Sequence, residues 1–271
     1  MLTLISTPIG NLLDITYRTL EILKQCDLIL CEDTRVTKQL LMLLKERYGL
    51  ETSYKDIISF HEHNGKERLA ILGSRLKSEN VVYMSDAGMP AISDPGQLLV
   101  EYCQKSGIEY DVLPGASAAP LVYAASGFAS GKFYFYGFLP SRGSGRRREL
   151  AKVMASGIDT ILYEAPHRII KLFEEIAVID AKREVFAAKE LTKRHQNYYR
   201  MEADALLELL RKENIKGEWA VVIAGKSQEE PTLSYQELLQ IDMPPKPKAK
   251  LMAKLSGKSV QECYESLQKK R

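Results

Sequence analysis

Short apolar runs alternate with longer amphipathic segments over residues 1–113. Continuous apolar runs such as 28–31 and 81–84 are typical of strands that are covered on both faces. The predicted strands are residues 3–5, 28–31, 57–61, 81–84 and 108–113, and the predicted helices are residues 15–25, 37–48, 66–77 and 97–105. This alternation predicts a parallel sheet with helices on both faces. Asp14 is the expected N-cap of the first helix.

A second block of strands and helices begins near Lys132 and predicts a second α/β domain. Its strands are expected at 133–139, 160–165, 185–191 and 219–225, and its helices at 167–177 and 204–212. The polar segment 227–232 is typical of a linker, and residues 248–270 predict two short helices broken at Ser256 and Gly257. We therefore expect an N-terminal α/β domain (1–117), a C-terminal α/β domain (118–228) and a helical, basic tail (232–271).

The composition is that of an ordinary globular protein, with 45% hydrophobic and 27% charged residues. No apolar stretch approaches the ~20 residues of a membrane span, and the first residues do not resemble a signal peptide. Cys26, Cys31, Cys103 and Cys263 are scattered without a C-x-x-C pair, so neither a zinc site nor a disulfide framework is expected. We expect a protein of the reducing cytoplasm, with the first three cysteines in its core and no membrane association.

Positive charge is concentrated in two segments, although the net charge is only +3. Residues 246–271 carry eight Lys or Arg against two Glu, and the segment RGSGRRR (142–148) groups four arginines in an expected loop. Localised basic patches favour a polyanionic partner such as nucleic acid. The same charges would equally suit a solvated tail and a solvated loop.

The most distinctive side chains follow the predicted strands. Ligands of open parallel sheets bind outside the carboxyl ends of the strands, and these loops contain tight Gly/Pro turns, above all SDAGMPAISDPG (85–96). Small residues there let the backbone approach a ligand closely. Ile9, Met89 and Ile92 could flank an adenine ring. Asp86 and Asp94 could bind hydroxyls or lie near a cation, although Asp94 precedes a helix and is more typical of a capping residue.

Motifs for phosphate and metal binding are incomplete. The segment AGKS (224–227) resembles the end of a P-loop, but Ala220 stands where its first glycine is required, and no G-x-G-x-x-G follows the first strand. His61 and His63 could ligate a metal from one side of a strand. No third ligand is evident, so no metal is expected.

An ordered set of segments resembles the tetrapyrrole-methylase-type superfamily of S-adenosylmethionine enzymes, and within it the ribosomal RNA methyltransferases of the small subunit. The segments are STPIGNLLDITYRTLEILKQCDLILCEDTR, SDAGMPAISDPG, LPGASA, FYGFLP, YEAPHR and KELTK. The resemblance runs from residue 1 to about 226, and the tail resembles a C-terminal extension of the same family. Porphyrin-precursor methylases and diphthine synthases share the fold but carry other residues in these loops.

The resemblance implies a fold of two α/β domains with the cofactor, S-adenosyl-L-methionine, held folded in the cleft between them. It implies 2′-O-methylation of a cytidine ribose in the decoding region of small-subunit (16S) ribosomal RNA, by an enzyme that is a homodimer. The cofactor-binding residues that it implies are Pro8, Ile9, Gly10, Asp86, Gly88, Ile92, Ser93, Ser117, Ala118, Tyr163 and Glu190.

A sulfonium cofactor carries its own activation, so catalysis depends first on positioning and second on a general base. The catalytic candidates are Glu32, Arg35, His61, Glu164 and Lys189, among which Arg35 is a phosphate contact and the other four are possible bases that the sequence does not rank. The RNA-binding candidates are Arg142, Arg146, Arg147, Arg168, Lys193 and Arg194, each of which could also be a plain surface charge.

Two other functions stay open at this point. A tetrapyrrole-precursor methyltransferase would need a wide apolar cleft, and the basic segments argue against it. A non-catalytic RNA-binding assembly factor on the same fold would bind RNA without transferring a methyl group.

Overall fold

The first sheet is built from the strands that the apolar runs predicted. In the computed structural model, which describes residues 1–61, 64–226 and 235–268, strands β1 to β5 are Leu2–Ile5, Leu28–Cys31, Asp56–Ser59, Val81–Met84 and Tyr110–Val112. They are hydrogen-bonded in the order β3-β2-β4-β1-β5, and every pair is parallel. The predicted parallel sheet is therefore confirmed.

Helices cover both faces of this sheet. Helices α1 to α4 are Tyr17–Gln25, Thr34–Tyr48, Gly65–Ser78 and Gly96–Ser106. Successive residues of a strand point to opposite faces, so Leu28 and Leu30 of β2 join one buried cluster, whereas Ile29 and Cys31 join another. Because both faces are packed, the whole of β2 is apolar.

The first helix begins at a threonine cap, and the prediction that Asp14 caps it is wrong. The Thr16 hydroxyl accepts a hydrogen bond from the backbone N–H of Thr19. Asp14 instead ends a single 3-10 turn, Leu12–Asp14, which Asn11 caps. Asp and Thr are both common N-caps, so residue type alone could not decide between two candidates two positions apart.

The second sheet is mixed rather than parallel. Strands β6 to β10 are Phe133–Phe138, Asp159–Glu164, Glu184–Lys189, Asn197–Glu202 and Trp219–Ile223, in the order β6-β7-β10-β8-β9. Strands β6 and β7 are parallel, whereas β10 is antiparallel to both β7 and β8, and β9 is antiparallel to β8. Strand β9 was not predicted because its sequence, NYYRME, is polar and largely exposed, as is common for an edge strand.

Helices also cover both faces of the second sheet. Helices α5 to α8 are Ala118–Ser126, Gly143–Ala155, Ile169–Asp180 and Ala203–Leu210; the first two were not predicted. Helix α5 packs on the second sheet through Ala119 and Val122. The predicted domain boundary at 117/118 stays a prediction, since residues 1–226 form one compact unit.

The described residues 235–268 form a small helical unit of their own. Its helices α9 to α11 are Tyr235–Gln240, Pro245–Ser256 and Val260–Gln268. Leu238, Ala249, Met252 and Cys263 form its buried cluster. The predicted break at Ser256 and Gly257 is confirmed, since Gly257 ends α10 with a left-handed φ of 69°. The predicted linker 227–232 lies outside the described residues.

The structure also tests whether the cysteines are buried and whether any described helix could span a membrane. Cys26, Cys31, Cys103 and Cys263 are buried free thiols, which confirms the core assignment of the first three. Burial raises the pKa of the Cys26 thiol to about 11, so it stays protonated and unreactive. Over the described ranges, no helix has both the length and the apolar character that crossing a bilayer requires.

Candidate active site

A cavity of about 490 Å³ lies where the strand ends of the two sheets meet, a volume typical of small-molecule sites. It is lined from the first sheet by the loops that follow β1, β2, β4 and β5, as the strand-end argument predicted. The lining residues of residues 1–117 are Ile9, Glu32, Ser85, Asp86, Ala87, Gly88, Met89, Ile92, Ser93, Asp94 and Ser117. Those of residues 118–226 are Ala118, Phe138, Tyr163, Glu164, Ala165, Pro166, Ala188, Leu191, Glu218, Trp219 and Ala220.

Three of the loops are locked together by short-range contacts. Thr7 and Gly88 exchange two backbone hydrogen bonds of 3.0 Å each, and the left-handed φ of 86° at Gly88 favours glycine at that position. The Ser6 hydroxyl donates a 2.6 Å hydrogen bond to the carbonyl of Ala116. A Cβ at Gly115 would lie 2.5 Å from the Ser6 Cβ. The loops after β1, β4 and β5 therefore form one rigid wall.

The turn-rich segment 85–96 is organised around one carboxylate. Asp94 accepts hydrogen bonds from the backbone N–H groups of Ala91 and Gly96, and from the Tyr83 hydroxyl. Because Gly96 is the first residue of α4, the predicted capping role of Asp94 is confirmed. These bonds also hold Ala91 at a left-handed φ of 65°, which a residue with a Cβ rarely adopts.

The cavity is lined by carboxylates, several serines and a larger apolar surface. Its lining carboxylates are Glu32, Asp86, Asp94, Glu164 and Glu218, and the described lining contains no Lys, Arg or His. Ile9, Met89, Ile92, Leu191 and Trp219 supply apolar surface. Fixed negative charge in a half-buried cavity favours a ligand that carries positive charge.

The pKa values of two of these carboxylates are raised. Burial is the largest cause for Glu32, against which the Asp86 N–H lowers the pKa, and the charges of Asp94 and Asp86 raise it further. Burial also raises the pKa of Asp86, against a hydrogen bond from the Asp33 backbone. Both groups thus lose some preference for the ionised state unless a cation is nearby.

The structure separates the catalytic candidates. Glu32 lines the cavity and accepts a 3.0 Å hydrogen bond from the Asp86 N–H through Oε1; its other oxygen has no hydrogen-bond partner in the described part of the chain. Arg35 is 89% exposed and forms an ion pair with Asp33. His61 hydrogen-bonds to Asn64 through its ring, and neither Arg35 nor His61 lines the cavity.

Lys189 also lies outside the cavity lining, behind one of its walls. Its ammonium donates a hydrogen bond to the carbonyl of Asn214 and lies 5.8 Å from the centre of the Trp219 ring. The indole of Trp219 contributes to the wall itself. This arrangement suits a lysine that fixes the wall rather than one that takes up a proton.

Trp219 was missed by the sequence reasoning because of strand direction. Sequence alone placed sites at the carboxyl ends of parallel strands, whereas Trp219 is the first residue of β10. Since β10 runs antiparallel to β7, Trp219 pairs with Glu164 at the last residue of β7 and so reaches the same edge. Phe138 and Leu191 were missed as well, although they lie in FYGFLP and KELTK, and Ala188 was missed in the strand before KELTK.

The prediction that Arg146 contacts RNA is corrected. Arg146 is 1% exposed and forms ion pairs with Glu164 and Glu175. The RGSGRRR segment is not a loop but the start of α6, in which Arg146, Leu150 and Val153 share the buried face. A guanidinium enclosed in this way is not available to a phosphate in solvent.

Other predicted RNA contacts remain at the surface. Arg142, Arg147 and Arg194 are exposed, and none has an ion-pair partner among the residues described. Arg168 is mostly buried and paired with Glu164. Lys193 is partly neutralised, because its ammonium pairs with Glu190 at 3.0 Å and Glu218 at 3.1 Å.

Most of the residues expected around a cofactor line the cavity. They are Ile9, Asp86, Gly88, Ile92, Ser93, Ser117, Ala118 and Tyr163, whereas Pro8, Gly10 and Glu190 do not line it. Gly10 packs against the loop after β8, where an added Cβ would lie 2.7 Å from Thr192 Oγ1 and 2.9 Å from the Leu191 carbonyl.

Glu190 is tied to the backbone beside the cavity. Burial raises its pKa, but hydrogen bonds from the Glu218 N–H and from Lys193 outweigh burial, so the net pKa is lowered and the ion is favoured. No cluster of three or more His, Cys, Asp or Glu that could hold a metal occurs within 1–61, 64–226 and 235–268. His63 lies outside these ranges.

Comparison with known proteins identifies the family. The sequence profile described as Tetrapyrrole (Corrin/Porphyrin) Methylases matches residues 1–207. The chain is 42% identical to the ribosomal RNA small subunit methyltransferase I of Helicobacter pylori, over 97% of this chain and 96% of the relative. It is 43% identical to the enzyme of the same name from Thermotoga maritima, over 83% of this chain and 98% of the relative.

A solved structure with low sequence identity supports the fold alone. A crystal structure of diphthine synthase superposes with a TM-score of 0.62 at 16% identity, over 82% of this chain and 89% of that one. The chain therefore belongs to the tetrapyrrole methylase family of S-adenosylmethionine-dependent methyltransferases and, within it, to the ribosomal RNA small subunit methyltransferase I group.

Proposed function

We propose that this protein transfers a methyl group from S-adenosyl-L-methionine to the 2′-hydroxyl of a cytidine ribose in the decoding region of small-subunit ribosomal RNA. The observation that carries the proposal is the separation of charge at the cavity. Carboxylates line it, whereas exposed arginines without ion-pair partners, among the described residues, lie in segments that follow strands. A sulfonium cation suits the first, and RNA phosphates suit the second.

The cavity suits this cofactor in three respects. Ile9, Ile92 and Leu191 offer apolar cover for an adenine ring, and Gly88 brings backbone to the cavity surface. Asp86 offers a carboxylate to a hydroxyl or ammonium group. When bound, the cofactor supplies a methyl group on positively charged sulfur. We propose the predicted lining residues as its direct contacts, and Pro8, Gly10 and Glu190 as residues that hold those contacts in place.

We propose Glu32 as the general base. It is the catalytic candidate that lines the cavity without a cationic partner, since Glu164 is held by two arginines. Its second oxygen would take the proton of the ribose 2′-hydroxyl, so that the ribose oxygen could accept the methyl group that the cofactor would supply. Burial moves the pKa of Glu32 upward, toward the range in which a base is most effective.

Positioning would contribute more than proton transfer. Holding the donor and acceptor in line can contribute about 7–11 kcal/mol, against about 3–5 kcal/mol for a general base. The wall fixed by the Thr7–Gly88 bonds and by Asp94 is the means of positioning that this chain provides.

For the RNA, we propose that Arg142, Arg147 and Arg194 contact phosphates around the cavity. Each lies in a segment that follows a strand ending at the cavity, namely β6 or β8. Arg35, at the first turn of α2, is a further phosphate contact. The resemblance also supports a cytoplasmic location and a homodimer. Light scattering of the purified protein would test the homodimer.

One incubation tests the function. The protein is mixed with tritium-labelled cofactor and either small ribosomal subunits or a tetrapyrrole precursor. We expect label in the RNA, at one cytidine whose 3′ linkage resists alkaline hydrolysis because its 2′-oxygen is methylated. Label in the tetrapyrrole alone would support the second enzyme class. Tight RNA binding without label would indicate a non-catalytic assembly factor.

A further inference from the structure

Four charged side chains form a continuous row of ion pairs beside the cavity. Glu175 Oε2 lies 2.6 Å from Arg146 Nε, and Arg146 Nη1 lies 2.9 Å from Glu164 Oε2. Glu164 Oε1 in turn lies 2.7 Å from Arg168 Nε. The two inner side chains are each 1% exposed, whereas Arg168 is 19% and Glu175 is 20% exposed. The order of charges is therefore Glu175, Arg146, Glu164, Arg168, with a cation at one partly exposed end.

This row connects segments that sequence separates widely. Arg146 belongs to α6, Glu164 ends β7, and Glu175 belongs to α7. Arg146 also donates a 3.3 Å hydrogen bond to the carbonyl of Pro140. Burial of ionised groups is costly unless each has a partner, and an apolar pair could fill the same space. The cost indicates that the charges serve something beyond packing.

The cationic end of the row lies next to the cavity. Arg168 closes the turn Pro166–Arg168, and Ala165 and Pro166 line the cavity wall. Arg168 itself is not a lining residue, so it lies outside the acidic interior, two residues along the chain from the lining residue Pro166. The closest contact of Glu164 with Arg168 is at Nε, an ion pair without hydrogen-bond geometry. In the part of the chain that the structure describes, the two terminal Nη groups make no hydrogen bond.

Arg35 differs from Arg168 in how far its ion pair is exposed to solvent. Arg35 is 89% exposed and its ion pair is with Asp33, two residues away on the same surface. Its hydrogen bonds to Asp33 are open to solvent and therefore weak, whereas the Glu164 carboxylate that pairs with Arg168 is 1% exposed and is also paired with Arg146. A fixed guanidinium presents its donors as a planar fork, which matches the oxygens of a phosphate.

We propose that Arg168 binds a backbone phosphate of the substrate RNA at the edge of the cavity, and that the buried Arg146–Glu164 pair positions its guanidinium. The proposal rests on the proposed function and names an RNA contact for it. Arg146 is thus a positioning residue that acts through Glu164, and Arg168 is the residue that touches the substrate.

The first test replaces the proposed contact. RNA affinity is measured as a function of salt with a fluorescently labelled single-stranded RNA oligonucleotide, and cofactor affinity is measured by titration calorimetry. For Arg168→Gln, we expect the slope of log K against log salt to decrease in magnitude by about 0.7, the value for a single phosphate on single-stranded RNA. Cofactor affinity is expected to stay unchanged. Arg211→Gln is the matched control, since Arg211 is a paired surface arginine that follows the last residue of α8, and it should leave the slope unchanged.

The second test separates positioning from charge. Arg146→Lys keeps the charge but cannot reach both Glu164 and Glu175 as a guanidinium does. We expect RNA affinity to fall about fivefold, the scale of a single hydrogen bond of about 1 kcal/mol, with the salt slope and cofactor affinity unchanged. If Arg146 had only a structural role, Arg146→Lys would lower the melting temperature without a fall in RNA affinity at unchanged cofactor affinity. If Arg146→Lys does not fold, Glu175→Gln is the alternative, since it keeps the Arg146–Glu164 pair and removes only the charge behind Arg146. We then expect RNA affinity to fall about twofold or more, with the salt slope and cofactor affinity again unchanged.

Each result decides one claim. An unchanged salt slope in Arg168→Gln removes Arg168 from the RNA contact. If the same variant instead loses cofactor binding, Arg168 pairs with the carboxylate of the cofactor rather than with an RNA phosphate, and the proposal is overturned. Wild-type RNA affinity in a folded positioning variant removes the role of Arg146. If the wild-type protein neither binds nor methylates RNA, the proposed function itself fails, and this outcome is distinct from a change confined to the variants.

Discussion

Replacing Glu32 with glutamine isolates proton transfer from the other effects of that side chain. Glutamine has nearly the same size, and its amide oxygen can still accept the hydrogen bond that the Asp86 N–H donates to Oε1. It cannot accept the proton of a ribose hydroxyl. We expect kcat to fall by about 10²–10⁴-fold, which corresponds to about 3–5 kcal/mol in the transition state.

A second effect of the same substitution has to be kept apart. Glu32 is one of the carboxylates that line the cavity, so its loss also removes attraction for a cationic cofactor. For two charges about 4 Å apart, that attraction is about 1 kcal/mol in water and about 4 kcal/mol at an effective dielectric constant near 20. The electrostatic loss can therefore be as large as the loss of the base, and it would appear in the dissociation constant of the cofactor.

The assay measures these quantities separately. Calorimetry gives the cofactor dissociation constant, and methyl transfer to small-subunit RNA at saturating cofactor gives kcat. Glu218→Gln is the matched control, because Glu218 is a cavity carboxylate that is 76% exposed and paired with Lys193. It makes the same chemical change, and we expect a modest loss of cofactor affinity with kcat within about threefold of wild type, since the proton acceptor is still present.

The pH dependence supplies the refutation. Wild-type kcat should rise with pH through the pKa of Glu32, which burial raises above its ordinary value of 4.5, and this limb should be absent in Glu32→Gln. A Glu32→Gln enzyme whose kcat at saturating cofactor stays within about tenfold of wild type would refute the assignment. So would an acid limb that is identical in both proteins.

Three further predictions concern stability and the tail. Because the folded-state pKa of Glu32 is raised, its ionised form destabilises the cofactor-free fold above that pKa, and this effect is absent below the unfolded pKa. Glu32→Gln should therefore raise the melting temperature at pH 8 and leave it unchanged near pH 4. Equal melting temperatures of the two proteins at pH 8 would contradict this. Gly10→Ala should lower the free energy of unfolding by about 1–3 kcal/mol in urea titrations, since its Cβ would lie 2.9 Å from the Leu191 carbonyl. The matched control Gly145→Ala, in α6 with nothing within 4 Å, should raise it by about 0.5–1 kcal/mol, and equal effects would exclude the steric reasoning. Deleting residues 227–271, a separate unit, should leave cofactor affinity unchanged and decrease the salt slope of RNA binding by about 0.7 for each phosphate that the tail binds, whereas an identical slope would remove the tail from the RNA site.

The first sheet could be predicted because each of its strands carries its own signal. Residues 28–31 and 81–84 are apolar throughout, since helices cover both faces of the sheet, and left-handed glycines end the neighbouring helices at Gly49 and Gly107. Strand β9 and the direction of β10 had no such signal. An edge strand needs apolar residues on one face at most, and strand direction is fixed by connections rather than by composition.

The candidate site was predictable at the level of loops but not of contacts. The turn-forming residues in 85–96 located one wall, because tight turns require Gly, Pro and Asp whatever the ligand. The other wall depends on Trp219, which reaches the cavity only because β10 is antiparallel to β7. A resemblance could assign Ile9 and Gly88 to the cofactor site by their positions in the sequence. It could not reveal that Glu32 lines the cavity whereas Glu190 does not.

The basic segment at 142–148 explains why charge is a poor guide without secondary structure. As a loop, its arginines would be equivalent, and each would be an equally good RNA contact. In α6 they are separated by about 100° per residue, so Arg146 faces inward with Leu150 while Arg147 faces solvent. The inward arginine pairs with Glu164 at the cavity wall, and through it with Arg168. The same run of sequence therefore provides both a surface charge for RNA and a buried charge that orders a residue 22 positions away, and only the helical periodicity distinguishes the two.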